Sequence, residues 1–171
     1  MGYDLHLFRP PPGAELRAAG EHSFQYEGDG PATPESEARK QRLAAALVAH
    51  DPRLRVLPPD DGWPRDSPIP PPLELHATDG SGIHVCLFDR TAAVELPYAR
   101  GEAVWKQARG YVRVLEEAGG FRTWDPQTGD IFDTGPALPS TSHTEYQRGS
   151  VLAAGIQRQA DESRRPWWKL W

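Results

Sequence analysis

The stretch from Leu73 to Pro97 reads LELHATDGSGIHVCLFDRTAAVELP and predicts three short strands folded back on one another. The glycines of Asp79-Gly80-Ser81-Gly82 favour a tight first turn. If Leu75 pairs with Val85 and Val85 pairs with Val94, every apolar residue of the three strands falls on one side. That side consists of Leu73, Leu75, Ala77, Ile83, Val85, Leu87, Ala92, Val94 and Leu96. The sequence therefore predicts a sheet with one buried face.

The segments on either side of this meander predict further strands and two amphipathic helices. Thr33-Pro34-Glu35 is a strong helix start, and apolar residues at helical spacing precede Gly119-Gly120. The predicted elements are strand 3–8, helix 33–50, strand 54–56, the meander, helix 100–118, strand 121–124 and a return strand 130–132. This β-α-β-β-β-β-α-β order favours an α+β fold. We expect a two-layer sandwich with a mostly antiparallel sheet, ferredoxin-like in outline.

The character of the chain changes after Asp133. Residues 1–133 are predicted to form a single α+β domain, and residues 134–171 a C-terminal extension. The extension holds a predicted helix at about 145–161 and ends in an aromatic tail. A proline-rich connection, 57–72, interrupts the domain; loops of this length are uncommon and are often functional.

Composition narrows the classes of function. The formal net charge of −5 argues against a nucleic-acid partner, because binding phosphates requires a basic face, and it favours a basic protein partner. Cys86 is the sole cysteine, which suits a reducing compartment. The sequence shows no signal-peptide pattern and no apolar run long enough for a bilayer. We therefore expect a cytoplasmic protein, and membrane association is not the favoured role.

The predicted register brings three metal-binding side chains to the other side of the sheet. His76 lies opposite His84, and His84 lies opposite Glu95 on the next strand, about 5 Å apart at Cβ. Two imidazoles and a carboxylate suit zinc or another transition metal. The simpler interpretation is the solvated face of an antiparallel sheet. No catalytic motif is present, and the sequence predicts no catalytic residue and no cofactor.

Tryptophan is concentrated at two candidate partner-binding segments. Trp63 lies in the proline-rich connection beside Asp60 and Asp61. Trp167, Trp168 and Trp171 fall within the last five residues, and aromatic anchors dominate interface energies. Three alternatives stand for this tail: packing on its own domain, contact with a partner or second copy, and contact with a membrane surface.

The opening segment YDLHLF at residues 3–8, the Leu96-Pro97-Tyr98 segment, Gly120-Phe121 and the DPQTG turn at 125–129 occur together. In this combination the chain resembles small uncharacterised bacterial proteins with a YDLxxF opening strand, which look like immunity proteins of toxin systems. The resemblance covers roughly residues 1–133. It implies a toxin-neutralising role and carries no catalytic residues.

Three hypotheses follow. The first is a non-enzymatic protein-binding module, an immunity-type inhibitor of a cognate bacterial toxin. The second is a metal-binding protein or metal-dependent enzyme that uses His76, His84 and Glu95. The third is an assembly or membrane-proximal adaptor that acts through the tryptophan-rich tail.

Overall fold

A seven-stranded antiparallel sheet organises the computed structural model of the chain, which describes residues 2–23, 33–58, 70–98, 100–135 and 141–163. The strands are β1 (Gly2–Phe8), β2 (Leu54–Val56), β3 (Leu73–Ala77), β4 (His84–Leu87), β5 (Thr91–Pro97), β6 (Arg122–Asp125) and β7 (Asp130–Ile131). Their order across the sheet is β2-β3-β4-β5-β1-β6-β7. Together with four helices, this confirms the α+β class.

The meander has the predicted register. Leu75 pairs with Val85 and Val85 pairs with Val94, so the alternation of apolar residues reports the pairing correctly. β1 lies in the middle of the sheet, antiparallel to both β5 and β6. Because β5 and β6 flank β1 and are joined through a helix, the centre of the sheet has the split arrangement of a ferredoxin-like outline. The β2–β3 pair and β7 extend the sheet at its two edges.

The part of the chain that the structure describes contains four helices, which pack around the sheet: α1 (Leu16–Ser23), α2 (Pro34–His50), α3 (Gly101–Gly119) and α4 (Thr141–Ser163). α2 begins with a capping box, in which Thr33 and Ser36 satisfy each other's backbone N–H groups. α3 ends at Gly120, whose φ of 66° is in the left-handed region that favours glycine. Both predicted helices are therefore confirmed, within a residue of their expected ends.

The sheet has two faces of different composition. The inner face, which carries Leu5, Leu75, Val85 and Val94, is fully buried against α2 and α3. The outer face carries the alternate residues, including Glu74, His84, Cys86 and Glu95. α1 covers the outer face at the β1–β6–β7 end. The architecture is thus a two-layer sandwich with a partial third layer.

α1, a helix of eight residues, packs on β6 through a glycine. At Gly20 a Cβ atom would lie 2.8 Å from the ring of Trp124. Glycine costs helix propensity, yet here it lets the helix backbone approach an indole that is 5% exposed. Tertiary packing on Trp124 therefore offsets the low helix propensity of Gly20.

α4 starts in the core and continues away from it. Tyr146 is 1% exposed and stacks on Trp105, with ring centroids 5.1 Å apart. Gly149 permits close approach to the Tyr98 ring. The helix starts at Thr141, four residues before the expected position, while the domain boundary at 133 stays a prediction. Across the described residues, no helix has both the length and the apolar character needed to cross a membrane.

A buried polar network joins the helices to the β2–β3 end of the sheet. Asp51, at the end of α2, accepts hydrogen bonds from Arg53 Nε at 2.9 Å and from Tyr111 Oη at 2.6 Å. Gln107 Nε2 donates to the same carboxylate at 3.2 Å. The hydrogen bonds from Arg53, followed by that from Tyr111, hold the pKa of Asp51 well below its usual range against the opposing effect of burial.

Candidate functional site

His84 is the centre of a polar cluster on the outer face. The register places His76 and Glu95 directly opposite it on the neighbouring strands, as the sequence predicts. The rings of His76 and His84 meet edge to face with centroids 6.0 Å apart. His84 Nδ1 lies 3.8 Å from Glu95 Oε2. All three residues of the predicted metal set therefore lie on one face, around a common imidazole.

The closest partner of His84 is Glu74, one row away on β3. Its Oε2 atom lies 3.1 Å from His84 Nε2, in hydrogen-bonding contact. This diagonal contact across the β3–β4 pair is shorter than the contact with Glu95 directly opposite. Both side chains are about a quarter exposed, at 26% for Glu74 and 27% for His84. The imidazole is thus flanked by carboxylates on both of its nitrogens.

Cys86 completes the cluster. Its Sγ lies 3.9 Å from the ring nitrogens of His84, and its Cα is paired with that of Glu74. One donor atom from each of Glu74, His84 and Cys86 lies within 4.8 Å of the others. The sequence pattern groups His84 with His76 and Glu95 and does not indicate Glu74 or Cys86 as ligands. The available signal was the His-x-Cys spacing, which puts both residues on one side of a strand.

The chemistry of the Cys86 thiol follows from its surroundings. Burial, and then the negative charges of Glu95 and Glu74, raise the pKa of the thiol to about 12. With only 7% of its surface exposed, the thiol is protonated and poorly accessible. This agrees with a packed thiol rather than a nucleophile.

A second feature is an apolar patch on α4, formed by Val151, Leu152 and Ile156. These side chains are 73%, 68% and 54% exposed. Leu152 and Ile156 are one helical turn apart and lie on the same side of the helix. The patch lies on the part of α4 beyond Tyr146, where the helix has left the core. Adjacent exposed apolar side chains of this size mark interaction surfaces.

A groove of about 510 Å³ at the start of α2 is lined by three arginines, Arg9, Arg39 and Arg90. Arg9 donates to the Gly119 carbonyl at 2.7 Å, and its guanidinium lies 4.5 Å above the Phe121 ring. Arg39 donates to the Asp89 carbonyl at 2.6 Å. Because these guanidinium groups bind backbone and an aromatic ring of their own domain, we interpret the groove as structural.

The predicted partner-binding residues are distributed differently. Trp63, Asp60 and Asp61 lie outside the described residues. The same holds for Trp167, Trp168 and Trp171. Within the described part of the C-terminal extension, the exposed apolar surface is the α4 patch. The sequence pattern does not indicate this patch.

A scan against protein-family models and searches of curated proteins and of solved structures find no match to this chain. The functional interpretation therefore depends on the geometry of the outer face, the α4 patch and the charge of the chain.

Proposed function

We propose that this chain is a non-enzymatic protein-binding module of the immunity type, which neutralises a cognate toxin in the cytoplasm. The observation that supports this proposal is the exposed apolar patch on α4. Val151, Leu152 and Ile156 project from a helix whose first half is anchored in the core by Tyr146. An anchored amphipathic helix with anchors at successive turns suits insertion into a groove of a partner.

The charge of the chain supports a basic protein as the occupant of this surface. A net charge of −5 accelerates association with a basic domain and opposes association between two copies of the chain. Toxins that act on nucleic acids are basic because they must bind phosphates. The acidic charge that makes this chain unsuited to bind nucleic acid favours contact with such a basic protein. A basic toxin domain is therefore the partner we assign to the α4 patch.

Reconstitution with a purified partner tests this assignment. The full-length chain is used to capture candidates from the source cells, and each candidate is then expressed alone and mixed with the chain. We expect a 1:1 complex by calorimetry, and rescue of growth when the chain is co-expressed with a toxic partner. The double variant Leu152→Glu/Ile156→Glu should weaken the complex by about 2 kcal/mol or more, which is about 30-fold or more in Kd.

Arg17→Glu on α1 is the matched control, because it changes the net charge by the same two units at an exposed site remote from α4. It should leave Kd within about twofold of the parent value. Equal binding of the toxic partner to the parent chain and the double variant would contradict the assignment. So would a captured partner that is harmless when expressed alone, or a chain that is dimeric through α4 by light scattering.

A further inference from the structure

Glu74, His84 and Cys86 bring a carboxylate, an imidazole and a thiol within 4.8 Å of one another on the outer face. The Nε2–Oε2 separation of His84 and Glu74 is 3.1 Å, and Cys86 Sγ lies 3.9 Å from the imidazole nitrogens. Zinc bonds of about 2.0–2.3 Å in a tetrahedron place neighbouring donor atoms roughly 3.3–3.6 Å apart. The observed separations lie on both sides of this range. Because Sγ is equidistant from Nδ1 and Nε2, it lies beside the ring and not on the axis of the Nε2 lone pair, so coordination requires the His84 ring to turn toward the thiol.

The chemistry of the donors selects the type of metal. Calcium and magnesium take oxygen ligands, whereas a thiolate with an imidazole favours zinc among the common divalent ions. We propose that the chain binds one zinc ion through Glu74 Oε2, His84 Nε2 and Cys86 Sγ. This site differs from the set of His76, His84 and Glu95 that the sequence predicts, and it does not depend on the proposed partner of α4.

Glu95 is the positioning residue of this site. With Nε2 directed to Glu74, the other imidazole nitrogen, Nδ1, faces Glu95 Oε2 at 3.8 Å. A carboxylate behind a metal-binding histidine fixes the ring orientation and raises the basicity of the ligand. Glu95 itself is 49% exposed, so it can reach Nδ1 by a small change of rotamer.

The local charge also favours a cation. Two carboxylates flank the imidazole, with Glu74 Oε2 at 3.1 Å from Nε2 and Glu95 Oε2 at 3.8 Å from Nδ1. Zinc binds the thiolate, so its binding transfers the thiol proton to solvent and gives the carboxylates a positive partner. Because Glu74 and His84 are about a quarter exposed, water has access to the fourth position.

The consequence for the fold is a cross-link between neighbouring strands. Glu74 belongs to β3, whereas His84 and Cys86 belong to β4. An ion held by all three ties these strands together on the face that the helices α2 and α3 leave uncovered. Zinc should therefore stabilise the folded chain, by an amount set by its free concentration relative to Kd.

Cobalt substitution of the full 171-residue chain, prepared without a histidine tag, is the direct test. Co²⁺ occupies zinc sites and gives a sulfur-to-metal charge-transfer band only when a thiolate is bound. We expect one Co²⁺ per chain with this band, displaced by one equivalent of Zn²⁺. His84→Ala and Cys86→Ala should each lower affinity by about 100-fold or more, and Glu95→Gln by about tenfold.

His76→Ala is the matched control, since it removes a neighbouring imidazole that the proposed site does not use. It should bind Co²⁺ with unchanged affinity and spectrum. Absence of stoichiometric metal, a bound metal without the thiolate band, or equal loss of binding in His76→Ala and His84→Ala would each overturn the proposal. The spectrum of the parent chain gives an answer even if a variant fails to fold. Zn²⁺ should also raise the Tm of the parent chain and leave that of Cys86→Ala unchanged.

Discussion

The inner and outer faces of the sheet are formed by alternate residues of the same strands, yet they differ in what fixes their side chains. On the inner face, Leu75, Val85 and Val94 are fully buried against α2 and α3. On the outer face, Glu74, His84 and Glu95 stay partly exposed and contact one another through polar atoms. Packing constrains the first group, and only polar contacts constrain the second.

This difference indicates which residues can acquire a binding role with little loss of folding stability. A residue of the inner face cannot change without leaving a cavity or a clash. A residue of the outer face can change its partner with small loss of stability, because water replaces what is removed. The two faces therefore separate the requirements of folding from those of binding.

The largest expected effect is the loss of stability in Leu96→Ala. Its counterpart is Glu95→Ala, because Glu95 is the adjacent residue of β5 and points to the opposite face. Leu96→Ala should lower the free energy of unfolding by about 3–5 kcal/mol, because Leu96 is 1% exposed and its removal leaves a cavity. Glu95→Ala should cost less than about 1 kcal/mol in metal-free protein. Denaturant titration of both variants measures the difference. Similar losses in the two variants would show that the outer face is structurally constrained too.

A smaller loss of stability is expected when Asp51 is changed, because its carboxylate joins α2 and α3 in a polar network over the inner face. Because the folded-state pKa of Asp51 is lowered, its carboxylate stabilises the fold above the usual aspartate range, and this contribution is lost as pH falls below about 4. Asp51→Asn should cost about 1–2 kcal/mol at neutral pH, since Arg53 is largely exposed and its pairing is screened.

The same variant should show a weaker dependence of stability on acid pH than the parent chain. Asp130→Asn, at an exposed position of β7, makes the same change of charge and is the control. Chemical denaturation at several pH values between neutral and acid compares the three proteins. An unchanged pH profile in Asp51→Asn would assign the acid sensitivity to another group.

The smallest effect tests the covered end of the outer face. Gly20→Ala places a Cβ atom 2.8 Å from the Trp124 ring. Overpacking of this kind costs about 1–3 kcal/mol, and the gain in helix propensity offsets about 0.5–1 kcal/mol, so a net loss of about 1 kcal/mol is expected. Gly155→Ala on α4, where a Cβ atom would meet no neighbour, should be stabilising. A gain of stability in Gly20→Ala would show that α1 does not pack closely on Trp124.

The sequence predicts the register of the meander correctly because a shift of one residue would expose every apolar side chain, as Val85 between Leu75 and Val94 illustrates. The same register predicts that His76, His84 and Glu95 share a face. It cannot predict that His84 turns toward Glu74, since that choice is made by side-chain rotamers. Nor can it predict the packing of α1, because the contact of Gly20 with the distant Trp124 is a tertiary contact.

The central position of β1 has a kinetic consequence. β1 is synthesised before both of the strands that it pairs with, which lie at residues 91–97 and 122–124. Its backbone hydrogen-bonding groups and the apolar side chains Tyr3, Leu5 and Leu7 must wait until most of the chain has been synthesised. Contacts of such long sequence separation slow folding, and the unpaired strand is exposed to aggregation meanwhile. We therefore expect the yield of this fold in the cell to depend on the rate of synthesis and on chaperone access as well as on equilibrium stability.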